Sequence, residues 1–368
     1  MKNILFLIPT LGGGGAERVL VNLVNNLSKE KYRITVQTLF DVGVNKKYLK
    51  GHVEYIPGFK NMIPGNVRLF KIFSPEFLYK MLVKKKYDIV VSYLEGPAAR
   101  IVAGCPYDSK LISWVHVEQK TVSAAAYSYR STQEYIECCQ KYDHTVCVAD
   151  AVKQDFLSTV HLNKPCTVLY NTNEDQIIRD KGKENAVLPS GTNGTKVISV
   201  ARLRPEKGFD RLIEVHKHLL DDGYAHEIFV LGEGDEKEKL LQMIHRNGVQ
   251  NSFHLMGFHH NPYKYISKAD LYVCPSFREG FSTAVTEALI LGIPVVSTEC
   301  SGAKELLGNN NEYGIVVENT TQGIYEGMKS MLCDTSTIQK YKLTAEQRGQ
   351  FFSKKNTVLL VEKLLDNI

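Results

Sequence analysis

With 368 residues, 43% of them hydrophobic and 23% charged, the chain has an ordinary globular composition, and at roughly 150 residues per domain it should form two domains. Net charge is +5, with the excess of Lys and Arg inside residues 1–170 and an acidic balance in the remainder. No window offers the run of about 18 apolar residues that a membrane helix needs, and no reader motif or stacking platform accompanies the basic charge, so a spanning protein and a nucleic-acid binder are both disfavoured.

The opening "MKNILFLIP" carries an apolar run too short for a signal peptide and reads as a first buried strand. It runs straight into four glycines, Gly12 to Gly15, and then into a helical pattern. Glycines without Cβ, followed by the free N–H groups of a helix start, make a turn suited to an anion, most often a phosphate. A dinucleotide fingerprint does not fit, because G-x-G-x-x-G laid on Gly12 or Gly13 puts Glu17 or Arg18 where the third glycine belongs.

Further short Val- and Ile-rich runs follow: "RITVQTLF", "DIVVSYL", "KLISWVHV" and "HTVCVA", then "KVISVARL", "HEIFVLGEG", "FHLMGF", "DLYVCPS" and "PVVSTE". Their spacing by amphipathic helical stretches predicts βαβ units and two doubly wound parallel sheets. The domain boundaries expected are 1–172 for the first domain, 173–195 for a polar hinge with only "QII" to bury, 196–350 for the second domain, and 351–368 for a terminal amphipathic helix. Within the first domain, residues 66–88 interleave Phe, Leu, Ile and Met with Arg and Lys, which fits either a solvated helix face or a peripheral contact with anionic lipid. Eight cysteines lack any C-x-x-C spacing and read as reduced thiols, which suits the cytosol.

Chemistry concentrates in the second half. In "PSFREGFSTAVTEALILGIPVVST" a strand end leads through a loop to a helix capped by Ser282, with Glu279 in the loop and Glu287 in the helix. N–H groups near Ser282 and Thr283 favour phosphate oxygens, and the two carboxylates can accept hydrogen bonds from the vicinal hydroxyls of a ribose or hexose. In "SVARLRPEKGFDRLIE", Arg202 and Lys207 follow another strand end, where they could neutralise charge on a departing diphosphate.

The Gly-Gly-Ala-Glu turn, Arg202 with Lys207, and E-x7-E at Glu279 and Glu287, in this order, resemble the retaining glycosyltransferases of family 4 over nearly the whole chain. That resemblance implies the GT-B fold, two Rossmann-like α/β domains facing each other across a cleft. It also implies roles: Glu287 on the ribose, Glu279 on the donor sugar, Arg202 and Lys207 on the diphosphate. Backbone at Gly14 and Gly15, and at Phe281, Ser282 and Thr283, would close on phosphates and sugar, His116 would face the donor sugar, and Gly257 with Phe258 would lie by the nucleobase. No D-x-D is present, the nearest being Glu233 and Asp235, so no metal and no cofactor is expected.

The implied reaction moves a hexose, from a UDP-sugar by preference, to a growing and lipid-linked bacterial surface glycan. The sugar leaves as an oxocarbenium-like species, and the departing phosphate helps deprotonate the acceptor attacking the same face, so no carboxylate nucleophile is needed, unlike the paired-acid glycosidases. No acidic residue on the acceptor side stands out as a base. The corresponding location is cytoplasmic, at the inner face of the membrane. Two alternatives remain: a two-domain nucleotide-dependent oxidoreductase, with Asp41 closing the second strand, and a non-enzymatic clamshell that binds sugars.

Overall fold

The computed structural model describes residues 1–60, 66–189, 191 and 194–368, without the side chains of 66, 67 and 335. It divides into two compact units, Met1–Asn173 together with Lys354–Ile368, and Glu174–Ser353.

In the first unit seven strands form one sheet: β1 (Lys2–Ile8), β2 (Tyr32–Thr38), β3 (Glu54–Ile56), β4 (Ile89–Ser92), β5 (Lys110–Val115), β6 (His144–Cys147) and β7 (Cys166–Val168). Their order is β3-β2-β1-β4-β5-β6-β7 and every pairing is parallel. The second unit holds β8 (Thr195–Val200), β9 (His226–Leu231), β10 (Phe253–Gly257), β11 (Leu271–Cys274), β12 (Val295–Thr298) and β13 (Ile315–Val317) in the order β10-β9-β8-β11-β12-β13, again all parallel.

Sheets of this kind are covered by helices on both faces, which is why their central strands read as continuous apolar runs rather than alternations. Ile4 to Ile8 of β1 are fully buried, as are Val197 and Ile198 of β8. The second core is built where Val197, Ile228, Val230 and Val273 meet Leu212 and Val215 of the helix Phe209–Asp221. In both sheets the strand order reverses once, between β1 and β4 and between β8 and β11, and loops beyond the carboxyl ends of those strands are where such folds bind ligands.

Two features depart from the expectations. β3, β7 and β13 were not expected; each is three residues long and lies at a sheet edge. Residues 173–195, expected as a hinge, contain the helix Asp175–Gly182. It buries Ile178, and Ser267 Oγ donates to the Gly182 carbonyl at 2.6 Å, so this stretch packs as part of the second unit. The last helix, Lys354–Asn367, belongs to the first unit, where Lys2 Nζ donates to the Leu365 carbonyl at 2.7 Å and the Ser28 N–H to Glu362 at 2.8 Å.

Candidate active site

β8 ends at Val200, and the chain passes Arg202 before the single turn Pro205–Lys207. Gly208 follows at φ +67° and opens the helix Phe209–Asp221. A Cβ at this position would lie 2.2 Å from the Pro275 carbonyl oxygen, so only glycine lets the turn press against the loop that leaves β11. That approach brings Lys207 to Glu279: Nζ donates to Oε1 at 2.7 Å. The same oxygen accepts from the Ser276 hydroxyl at 2.7 Å, and the Ser276 carbonyl is held by Thr298 Oγ1 at 2.6 Å.

The Lys207 and Glu279 side chains are only 21% and 14% exposed, so each charge depends on the other far more than a surface pair would. Arg202 is exposed, and among the described residues nothing engages its guanidinium. The loop itself is pinned on two sides. The Phe277 N–H donates to the Glu206 carbonyl at 2.9 Å, and buried Arg211 donates from Nε to the Pro275 carbonyl at 2.9 Å while lying 3.7 Å over the Phe277 ring.

Ser282 caps the helix Thr283–Ile290 by accepting from the Val285 N–H at 3.4 Å. Its oxygen serves as acceptor there, and what this terminus offers an anion is the first backbone N–H groups, beginning at Thr283, together with the Ser282 O–H. Glu287 lies one turn in and accepts from the Tyr263 hydroxyl at 2.9 Å. Phe281 is buried, edge-on to Phe352 at 5.6 Å between centroids, so it can meet a ligand only through its backbone. Gly257, at φ +73°, ends β10, and Phe258 beside it is 65% exposed, its ring perpendicular to that of His260 at 5.0 Å between centroids. In this unit Arg202 and Lys207 follow β8, and Glu279 follows β11, on the two sides of the strand-order reversal.

In the first unit Gly14 is the N-cap of the helix Gly15–Val24, with no side-chain cap. The position a Cβ on Gly14 would take is 2.2 Å from Glu17 Oε2, so in this structure the anion lying against the glycine turn is a carboxylate from the helix's own first turn. His116 follows β5 and is 7% exposed. Its ring packs 5.0 Å from that of Tyr93, its Nε2 has no hydrogen-bond partner, and burial, only partly opposed by a hydrogen bond with the Tyr93 backbone, pushes its pKa down to about 3. A neutral imidazole with a buried, unclaimed ring nitrogen is a hydrogen-bonding group waiting for a partner.

Residues absent from the sequence reading also belong here. Ser276 and Tyr263 hold the two carboxylates of the second unit. In the first, Glu95 follows β4 and accepts from the Val117 N–H at 2.9 Å, an acidic group where none was expected. The available signal was position, since "SYLEGP" ends a buried strand at the strand-order reversal.

The basic segment presents exposed Leu69, Ile72, Phe73 and Phe77 beside Arg68, Lys80, Lys84 and Lys85. Buried Arg100 grips it through the Phe70 and Phe73 carbonyls, both at 2.8 Å. Among the described residues no helix is long and apolar enough to cross a membrane, and all eight cysteines are free.

Two Rossmann-like units with parallel sheets of seven and six strands, and ligand-type loops at both order reversals, define the GT-B class of α/β proteins. Known proteins agree. Residues 13–172 match the family described as Glycosyltransferase Family 4, and residues 180–348 match Glycosyl transferases group 1. The chain is thus a glycosyltransferase of the family 4 type.

Over 96% of both chains it is 27% identical to the N-acetylgalactosamine-N,N'-diacetylbacillosaminyl-diphospho-undecaprenol 4-alpha-N-acetylgalactosaminyltransferase of Campylobacter jejuni. Among solved structures it is similar to Anabaena HepE in complex with UDP and glucose, at TM-score 0.79 and 19% identity over the full length of both chains. It is also similar to the sucrose-phosphate synthase of Thermosynechococcus elongatus, at TM-score 0.79 and 15% identity over 100% of this chain and 99% of that one. At such identities these two speak for the fold alone.

Proposed function

We propose that the chain transfers a hexose from a nucleotide sugar, a UDP-sugar first of all, to a lipid-linked acceptor in the assembly of a bacterial surface glycan, with retention and without a metal ion or cofactor. The observation that carries this reading is the Lys207–Glu279 pair, 2.7 Å long and partly desolvated, beside the open guanidinium of Arg202. The ammonium there can leave Glu279 for a phosphate oxygen and meet the charge that grows as the sugar departs, while freed Glu279 accepts from sugar hydroxyls.

Further support comes from Glu287, set by Tyr263 at the start of a helix, which suits ribose hydroxyls, and from exposed Phe258, which suits a base. Buried, unpartnered Nε2 of His116 suits a sugar hydroxyl as donor. A diphospho-undecaprenol appears in the name of the Campylobacter jejuni relative, and a lipid-linked acceptor here would give the mounted apolar and basic segment at 68–86 a role at an anionic membrane.

A thermal-shift panel run in excess chelator tests the reading. UDP and at least one UDP-sugar should raise the melting temperature, and NAD(H) should not. Stabilisation by NAD(H) alone, or by UDP only after a divalent ion is restored, would contradict it.

A further inference from the structure

The loop after β5 is gripped by carboxylates from two other parts of the first unit. Glu95 Oε1 accepts the backbone N–H of both His116 and Val117, the latter at 2.9 Å. Asp155, on the helix Asp150–Thr159, accepts the Gln119 N–H on Oδ2 at 2.6 Å and the Lys120 N–H on both oxygens, at 3.1 Å and 3.2 Å. An exposed loop normally leaves such N–H groups to water.

The grip opposes a cost. Lys120 has φ +60°, a left-handed conformation that strains a residue with a Cβ. Directly after it Thr121 caps the next short helix, its hydroxyl accepting from the Ala124 N–H at 3.1 Å, so the kink cannot relax forward without losing that cap. Holding Glu95 here is costly as well, because burial pushes its carboxyl above the usual range despite the backbone donors that favour its ionised form. Backbone strain of this sort persists where surroundings over-determine it, and it gathers at functional loops. What this loop carries is His116, buried, with Nε2 unclaimed.

We propose that Glu95 and Asp155 are positioning residues for glycosyl transfer: acting through the backbone of residues 116–120, they fix the loop so that His116 Nε2 is held, already desolvated, for a sugar hydroxyl. This rests on the reading of the chain as a nucleotide-sugar transferase. Neither carboxylate is required to touch the sugar.

Both grips can be kept or removed by substitution, which makes the assignment testable. Both N–H groups at Glu95 share one oxygen, so Glu95→Gln can satisfy them with its amide oxygen. At Asp155 the oxygen Oδ2 reaches both donors, so Asp155→Asn can likewise hold them with its amide oxygen, and only Asp155→Ala removes the grip. Lys120→Gly removes the left-handed penalty and should partly rescue Asp155→Ala.

Amide hydrogen exchange over 116–121 and the hydrolysis of UDP-glucose, UDP-galactose and their N-acetyl forms to UDP and free sugar, with water as the acceptor, would be followed in the full chain. Asp155→Ala and Glu95→Ala should each speed loop exchange and lower kcat by about tenfold or more while donor KM stays within about twofold. The conservative Glu95→Gln and Asp155→Asn should rescue most of these losses, and adding Lys120→Gly to Asp155→Ala should recover a large part of both. Faster exchange with unchanged kcat, slower turnover with unchanged exchange, or Glu95→Gln as damaging as Glu95→Ala would each overturn the proposal. Exchange that follows the predicted pattern in a chain that releases UDP from none of the four sugars would instead sink the transferase reading, and the assignment to transfer with it.

Discussion

Lys207 faces two demands that its geometry reconciles. At rest its ammonium neutralises Glu279 in a partly desolvated pocket of polar groups, and on the proposed reading the same charge would move to a leaving phosphate during transfer. A group whose main partner develops in the transition state should matter more for turnover than for binding. Lys207→Ala is therefore expected to lower kcat by about 100-fold, the scale of losing one preorganised charge or donor, while UDP affinity changes by about tenfold at most. Single-turnover UDP release alongside calorimetry checks this; equal losses in both would remove Lys207 from the chemistry.

The placement of Arg202, Lys207 and Glu279 was legible in the sequence, because each follows a Val- and Ile-rich run and so had to lie towards a sheet's carboxyl edge. Their contact was not legible, since it depends on Gly208 meeting Pro275, a tertiary approach with no local pattern. Glu95 and Asp155 were missed for a related reason. The place of Glu95 after a buried strand could be read, but what it and Asp155 hold could not, because they act on backbone N–H groups at a remove of 21 and 36 residues.

At the level of elements, the apolar runs long enough to cross a buried sheet were found, and the short edges were not. β3, β7 and β13 are three residues long, and most of their residues keep some exposure, too little material for a periodicity to declare itself. The helix Asp175–Gly182 escaped because charge dominates it, although burial of Ile178 and the hydrogen bond to Gly182 anchor it.

The turn Pro205–Lys207 is the element on which the second-unit site depends. Gly208→Ala would combine a left-handed φ of +67° with a 2.2 Å collision against backbone, so a loss of about 2 kcal/mol or more is expected. Denaturation midpoints would show it, and UDP binding should weaken as well because the turn carries Lys207. A variant as stable as wild type with full UDP affinity would mean that the close approach has no role in the site.

Across the molecule, buried histidines set an acid limit. Burial pushes both His116 and His216 down to about 3 from an ordinary 6.5, and His216 is further locked between His226 Nε2 and Ser252 Oγ, both at 2.8 Å. Between those pH values the unfolded chain takes up protons that the folded chain refuses, so stability is full above pH 6.5 and falls as the solution is acidified. The slope approaches 1.4 kcal/mol per pH unit for each histidine. Urea midpoints at pH 7 and pH 5 should drop accordingly, and His216→Gln should flatten the dependence; a higher midpoint at pH 5 would contradict it.

The exposed Ile72 and Phe73 beside Arg68 and Lys80 lead to a second expectation at this scale. The chain should float with phosphatidylglycerol vesicles at low salt and not with phosphatidylcholine, and Ile72→Asp should abolish it. No flotation with either lipid would leave the segment as a solvated face, and flotation unaffected by lipid charge would remove the basic residues from the contact.

The most direct trial is a crystal soaked with UDP in chelator. The diphosphate should lie within hydrogen-bonding distance of Lys207 Nζ and the Arg202 guanidinium, with the ribose hydroxyls on Glu287. Density for UDP elsewhere on the protein, with Lys207 still paired to Glu279, would contradict the account.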